Sequence, residues 1–160
     1  MVPCSRRVAL GLMAAFSVAA CARSQPETVD DVTTRSTPLY PNETPELRRL
    51  IVAAARENDV PVELVQRVIV RESTHRPGAR NGPYYGLMQI LPATARTMGF
   101  RGQPADLLDA ETNLRYAVRY LRGAWLLADG SHDRAVMWYA RGYYYEAKRR
   151  GMLRETGLRA

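Results

Sequence analysis

The sequence has few of the side chains that build metal centres and disulfide frameworks. Its 160 residues include two cysteines, Cys4 and Cys21, and two histidines, His75 and His132. These numbers exclude a four-cysteine zinc site and a scaffold held by several disulfides, and we expect neither a metal nor another cofactor. No apolar run approaches the roughly 20 residues of a membrane-spanning helix. Apolar and polar residues alternate over a few positions at most, so we expect a mostly α-helical protein.

Lysine is almost absent, although the chain is basic. Of the 23 Lys and Arg residues only Lys148 is a lysine, and the formal net charge is +7. A charge of this sign suggests an acidic partner, and nucleic acid is the first to consider. The arginines are spread along the chain, however, and the N-terminus has the pattern of an export signal. We therefore expect no nucleic-acid binding.

The first 20 residues have the layout of a secretory signal peptide. Arg6 and Arg7 form a basic start, Val8–Ala20 is uncharged, and small residues precede Cys21. This order is typical of a segment that is removed on export, and the apolar part is too short for a permanent span. We predict a signal peptide at residues 1–20.

The tetrapeptide Val18-Ala19-Ala20-Cys21 resembles the bacterial lipobox. The resemblance implies that Cys21 is lipidated and anchors the protein to a membrane. Because Ala22 follows, it also implies the outer membrane, facing the periplasm, in a Gram-negative cell. The alternative is an ordinary signal peptide with an incidental cysteine. Residues 21–44, rich in Ser, Thr and Pro beyond the cysteine, are predicted to be the lipidated N-terminus and a flexible tether.

Capping residues and apolar periodicity predict helices from Thr44 onward. Thr44 followed by Pro45 is a helix start, and Asp109 and Ser131 are cap residues before further helices. The predicted helices cover Pro45 to about Asn58, Pro61 to about Glu72, Pro92–Met98, Ala110 to about Ala128, Asp133 to about Arg141 and a short piece over Tyr144–Arg150. We predict a folded domain at residues 45–151 and a C-terminal tail at residues 152–160.

Glu72 interrupts the apolar pattern of the second helix. It lies on the stripe that this helix should bury, behind Val65, Val68 and Ile69. It also lies in the last turn, where the helix dipole disfavours negative charge. Both effects favour the neutral carboxyl that a general acid needs. The alternative is a surface ion pair with Arg71 or Arg76.

The residues that follow resemble a known family. The elements are Glu72-Ser73, then Gly86-Leu87-Met88-Gln89, then Pro92-Ala93-Thr94-Ala95, then Asn113, Tyr120-Leu121 and Tyr139 with Gly142. In order and spacing they resemble the soluble lytic transglycosylases, from about Glu46 to Gly142. The resemblance implies a lysozyme-like helical fold, similar to goose-type lysozyme, and peptidoglycan as the substrate.

The resemblance also implies roles for individual residues. Glu72 would be the single acid and base that cleaves the bond between N-acetylmuramic acid and N-acetylglucosamine and leaves a 1,6-anhydro end. Ser73 would orient Glu72 or the acetamido group of the sugar. Met88 and Gln89 would line the site, with Gly86 and Leu87 in the same motif supporting it. Tyr139 would hold Glu72 through its hydroxyl.

Tyrosine is concentrated after Glu72. Aromatic rings stack on sugars and hydroxyls bond their edges, so this distribution suits a glycan cleft. We expect Tyr84 and Tyr85 to be the sugar-binding pair, although tyrosines such as Tyr116 and Tyr120 have the spacing of core packing.

The chain departs from the family pattern at three places. Ala140 replaces the asparagine after the tyrosine, Gly142-Tyr143-Tyr144-Tyr145 replaces Gly-Pro, and His75 stands where phenylalanine is common. The departures change the expected shape of the cleft and leave the acid intact. Two alternatives remain: a peptidoglycan-binding module without turnover in an envelope complex, and a muramidase that hydrolyses the same bond with water.

Overall fold

The computed structural model describes residues 37–159. The predicted signal peptide at residues 1–20, the predicted lipidation residue Cys21 and most of the predicted tether lie outside these described residues. The folded unit begins at Pro38. No helix of the described part is long and apolar enough to cross a membrane.

The described chain is mostly helical, as predicted. In chain order its elements are α1 (Pro45–Glu57), α2 (Val62–Glu72), β1 (Arg80–Asn81), β2 (Tyr84–Tyr85), α3 (Pro92–Thr97), a 3-10 helix (Pro104–Leu108), α4 (Ala110–Leu126), α5 (His132–Arg141) and α6 (Tyr144–Arg149). The two short strands pair antiparallel, with Arg80 opposite Tyr85 and Asn81 opposite Tyr84. This hairpin lies between Glu72 and Pro92, where the sequence predicts no helix.

The helix starts follow from local side-chain chemistry. The Thr44 hydroxyl accepts a hydrogen bond from the backbone N–H of Leu47 at 3.1 Å, and Asp109 accepts one from Thr112 at 2.8 Å. Ser131 caps α5 in the same way. Each bond satisfies a backbone donor that has no partner inside the helix. These three starts are therefore local features that the sequence alone predicts.

The hydrophobic core forms around α4, which packs against α1, α3, α5 and the 3-10 helix. Leu114, Val118 and Leu121 of α4 are buried, as are Val65 and Ile69 of α2. Burying a side chain of this size stabilises the fold by about 1.5–3 kcal/mol. The stripe that ends at Glu72 is therefore a core-facing surface of α2.

Both predicted ends of the folded domain need correction. Residues 38–44, predicted as tether, pack onto the domain: the Tyr40 ring stacks on His75 at 5.1 Å, and the Asn42 amide donates to the Thr74 carbonyl at 3.0 Å. At the other end, the predicted tail at 152–160 also packs. Thr156 is buried, and its hydroxyl donates to the Met152 carbonyl at 2.7 Å. Composition alone does not reveal the contacts of Tyr40 and Asn42, because they join segments that are distant in sequence.

Candidate active site

Glu72 is the last residue of α2, and the chain turns sharply after it. Thr74 and His75 have φ values of 52° and 57°, in the left-handed region that β-branched residues such as threonine rarely adopt. The helix ends there, and the Glu72 side chain is partly exposed, whereas Val65 and Ile69 of the same stripe are buried. Backbone strain of this kind persists only where the surrounding structure holds it.

A cleft of about 580 Å³ lies beside Glu72. Its walls come from the end of α2, the β1–β2 hairpin, the segment before α3, α3 itself, α4 and the end of α5. The lining residues include Tyr84, Gln89, Thr94, Tyr120, Tyr139 and Gly142. The Glu72 side chain keeps 24% of its exposure, so its carboxyl is half-buried yet reachable from the cleft. Among the described residues that line the cleft, Glu72 is the only carboxylic acid.

Burial raises the pKa of the Glu72 carboxyl, and the nearby Arg71 guanidinium lowers it by a smaller amount. Arg71 Nε lies 3.5 Å from the Glu72 carboxylate, and Arg71 itself is half-exposed. The surface ion pair considered as an alternative therefore exists, but desolvation outweighs it. Arg76 makes a different contact, from its Nε to the Ser73 carbonyl at 2.9 Å. A carboxyl whose pKa is raised in this way can hold and deliver a proton.

Gln89 lines the cleft in a strained conformation, with φ of 49°. Its side-chain amide donates to the carbonyls of Ala79 at 3.1 Å and Gly86 at 2.8 Å. Both N–H groups of this amide are therefore engaged within the protein in the observed conformation, and neither is free to donate to a ligand. The side chain instead ties the hairpin to the segment that follows it.

Four further residues of the predicted site are structural. Leu87 and Met88 are fully buried, so their side chains belong to the core and are absent from the cleft wall. Gly86 has φ of 76°, and a Cβ there would lie 2.2 Å from the Asn113 amide nitrogen. Ser73 is buried outside the cleft wall, and its hydroxyl donates back to the Ile69 carbonyl at 3.4 Å, so in this conformation it orients neither Glu72 nor a sugar group, the two roles predicted for it.

Asn113 of α4 holds this segment in place, a role that the sequence did not assign to it. Its side-chain oxygen accepts from the Met88 N–H at 3.0 Å, and its amide donates to the Tyr85 and Leu107 carbonyls, both at 2.8 Å. Asn113 is fully buried, so each of these bonds replaces one to water. The asparagine thereby fixes the segment that leads to Gln89, a residue of the cleft wall.

The Tyr139 hydroxyl donates to the Met88 carbonyl at 2.8 Å. The predicted hydrogen bond from this hydroxyl to Glu72 is therefore absent. The ring still lines the cleft, and it meets the Tyr120 ring edge-on at 5.4 Å. Burial, and then the charge of Glu72, raise the pKa of Tyr139 well above its ordinary value, so it stays a neutral hydrogen-bond donor.

The other tyrosines divide into exposed and structural residues. Tyr84 lines the cleft and is 42% exposed, as a sugar-stacking ring requires. Tyr85 is not part of the cleft wall, and the Arg80 guanidinium lies 4.8 Å above its ring, so the predicted pair is split. Tyr143 is buried and donates to the Tyr120 carbonyl at 2.8 Å, which makes it a packing residue.

The cleft beside Tyr139 contains the small residues Ala140 and Gly142. Gly142 has φ of 82° and ψ of 148°, a conformation that is essentially restricted to glycine. The replacement of the family's asparagine by Ala140 leaves no polar side chain at that position of the wall. The exposed Arg141 lies between these two residues and also lines the cleft.

A second carboxylate centre, which the sequence did not predict, lies beneath the turn after Glu72. The Glu43 carboxylate accepts hydrogen bonds from Arg48 Nε and Nη2, both at 2.6 Å, from Gln66 at 2.7 Å and from the Tyr40 N–H at 2.9 Å. Gln66 in turn bonds to His75 at 2.6 Å. Burial raises the pKa of Glu43, but these bonds outweigh it and lower the pKa to about 2. We call these five residues the Glu43 cluster.

Among residues 37–159, no group of three or more His, Cys, Asp or Glu side chains could hold a metal ion. The fold and cleft thus define a helical protein with one accessible carboxylic acid facing a polar, tyrosine-lined groove of a size that takes sugars. A family model described as the transglycosylase SLT domain matches residues 49–152, and the chain belongs to that family. The family supports a peptidoglycan-related function of the lytic transglycosylase type and a lysozyme-like fold. No curated protein and no solved structure is significantly similar to the chain.

Proposed function

We propose that the protein is a lytic transglycosylase that cleaves the bond between N-acetylmuramic acid and N-acetylglucosamine in peptidoglycan, with Glu72 as its single acid and base. The observation that carries the proposal is one half-buried carboxyl of raised pKa in a cleft where no second carboxylate lies among the described lining residues. Two-carboxylate glycosidases need a partner about 5–9.5 Å away, which acts as nucleophile or activates water.

The proposed reaction uses Glu72 twice. The protonated carboxyl gives its proton to the glycosidic oxygen, and the bond from that oxygen to C1 of the muramic acid breaks. The acetamido oxygen of the same sugar stabilises C1, as in other substrate-assisted enzymes. The Glu72 carboxylate then removes the proton of the 6-hydroxyl, and O6 bonds to C1 as the acetamido group leaves. Glu72 regains its proton and no water is consumed.

The test is digestion of purified sacculi by wild type and Glu72→Gln. We expect the wild type to release muropeptides with anhydro ends, about 18 Da lighter than reducing ends, and the variant to be about 10²- to 10⁴-fold slower. Glu63→Gln is the matched control, because Glu63 is an exposed acid in the first turn of the same helix. Circular dichroism checks that both variants fold.

Each other result has its own meaning. Undiminished release by Glu72→Gln contradicts the assignment of the acid. Reducing ends from the wild type indicate hydrolysis, the muramidase alternative. Sacculi that bind the wild type without being cut indicate the binding module.

We also propose, from the sequence of residues 18–21, that Cys21 carries a lipid that anchors the enzyme in the outer membrane, facing the periplasm. Cys21→Ser should move the full-length protein from the membrane fraction to the soluble fraction. A wild type that is already soluble contradicts the anchor.

A further inference from the structure

The cleft carries more positive than negative charge. Two arginines, Arg71 and Arg141, line it together with Glu72. Arg71 Nε lies 3.5 Å from the Glu72 carboxylate, so its charge acts on that residue. Arg141, in contrast, has no carboxylate partner within the part of the chain that the structure describes. It is therefore the cation of this cleft that remains open to an incoming anion.

Weak contacts hold the Arg141 side chain in place. Its guanidinium carbon lies 5.3 Å from the centre of the Trp138 ring, and Nη1 lies 3.8 Å from the Met137 sulfur. Stacking on an aromatic ring orders a guanidinium while leaving its N–H donors available, and their fork matches a carboxylate. Such a preorganised group loses less entropy when it binds an anion. Arg141 also ends α5, where the helix dipole favours any cation, so a purely structural role is the competing explanation.

The substrate of the proposed function supplies the matching anion, and the inference rests on that function. The sugar rings of the glycan are uncharged, but each muramic acid bears a lactyl group that can carry a short peptide with free carboxylates. A carboxylate on the peptide is thus a part of the substrate that a guanidinium can recognise at close range. We propose that Arg141 binds a carboxylate of this peptide and gives the enzyme a preference for anionic, peptide-bearing glycan over neutralised glycan.

The test compares two forms of the same soluble glycan strands. Reductive methylation first converts the free amines of the peptides to tertiary amines. One half of the sample is then treated with carbodiimide and methylamine, which turns the carboxylates into neutral amides without shortening the peptides. The two forms therefore differ in carboxylate charge, while chain length and sugar chemistry stay the same.

For the wild type we expect KM to be about tenfold lower on the anionic strands, with kcat little changed, as for one charge-assisted contact. Arg141→Ala should remove most of this difference, Arg141→Lys should keep part of it, and Arg141→Glu should reverse it. The matched control is Arg115→Ala. It also removes one positive charge, but from an exposed residue of α4 that pairs with Glu111 outside the cleft.

Different results would overturn the role of Arg141 and the proposed function. A wild-type preference that survives in Arg141→Ala, or an equal loss in Arg115→Ala, overturns the role of Arg141. If the wild type cuts neither form, the proposed function fails. The dissociation constants of the two strand forms for Glu72→Gln, with and without Arg141→Ala, then decide on Arg141 without turnover. Equal constants for both forms overturn the inference.

Discussion

Glu43 and Glu72 both lose contact with water on folding, yet their carboxyl groups have pKa values on opposite sides of the ordinary value. Burial raises the pKa in both cases. At Glu43 the hydrogen bonds from Arg48, the Tyr40 N–H and Gln66 outweigh burial, and the pKa falls to about 2. At Glu72 the main opposing influence is Arg71, and the pKa stays raised. The neighbours of a carboxyl, more than its depth, decide its charge.

The difference distinguishes Glu43, a structural carboxylate, from Glu72, the proposed acid. Glu43 receives four hydrogen bonds from fixed donors and has no exposed side-chain surface. For Glu72, no hydrogen-bond donor reaches the carboxylate within residues 37–159, and the side chain opens on a cleft. A group that must gain and lose a proton needs few fixed donors, because each donor favours the ionised form.

The largest expected effect is on the free energy of unfolding, and it comes from removing the buried Glu43 carboxylate. Glu43→Ala should lower the free energy of unfolding by about 3–5 kcal/mol, because it leaves a buried guanidinium without its carboxylate. Denaturant titration measures the loss. Glu57→Ala is the control, since Glu57 is exposed at the end of α1 and should change stability by less than about 0.5 kcal/mol. A loss below about 1 kcal/mol for Glu43→Ala would contradict the role of the Glu43 cluster.

The pH dependence of stability tests the same comparison through the opposite signs of the two pKa shifts. The lowered pKa of Glu43 gives stability that is complete above the ordinary value of 4.5 and is lost as the pH falls toward about 2. The raised pKa of Glu72 has the opposite sign, with stability present below 4.5 and lost as the pH rises through the folded-state value. Glu43→Gln should flatten the acid side of the stability curve, and Glu72→Gln should leave that side unchanged.

A smaller effect is expected from Tyr139→Phe, which tests whether Glu72 lacks a hydroxyl donor. The variant leaves the buried Met88 carbonyl without its partner and should cost about 1–3 kcal/mol of stability. The pH profile of kcat/KM should keep its position, because the hydroxyl does not donate to Glu72. A basic limb that moves upward by a full pH unit would instead indicate a direct bond to Glu72 during catalysis.

Local patterns predicted much of the fold. Thr44, Asp109 and Ser131 cap helices within a few residues of their own positions, and short-range periodicity predicted the buried stripe of α2. That stripe also predicted Glu72 at the edge of the core. These features depend on neighbours within one or two helical turns, which the sequence displays directly.

Such local patterns did not predict the hydrogen-bond partners of the polar side chains. Gln66 reaches Glu43 across 23 positions, and Tyr139 bonds to Met88 across 51. The sequence predicted that the Tyr139 hydroxyl bonds to Glu72, and only the packed structure shows that it bonds to the Met88 carbonyl instead. The Ser/Thr/Pro-rich composition before α1 likewise predicted a tether, because nothing in it signals that Glu43 is bonded to Arg48.

The smallest expected effect is a shift in the pH profile of kcat/KM when Arg71, the cation beside Glu72, is removed. Arg71→Ala removes the cation that lowers the pKa of Glu72, so the basic limb of the kcat/KM profile should move to higher pH. The shift should stay below about one unit, because Arg71 is half-exposed and solvent screens the pair. Arg67→Ala, on the same helix and paired with the exposed Asp133, should leave the limb in place. High salt should shrink the difference between wild type and Arg71→Ala. A limb that moves to lower pH would contradict the view that Glu72, unlike Glu43, is governed by desolvation against a single weak cation.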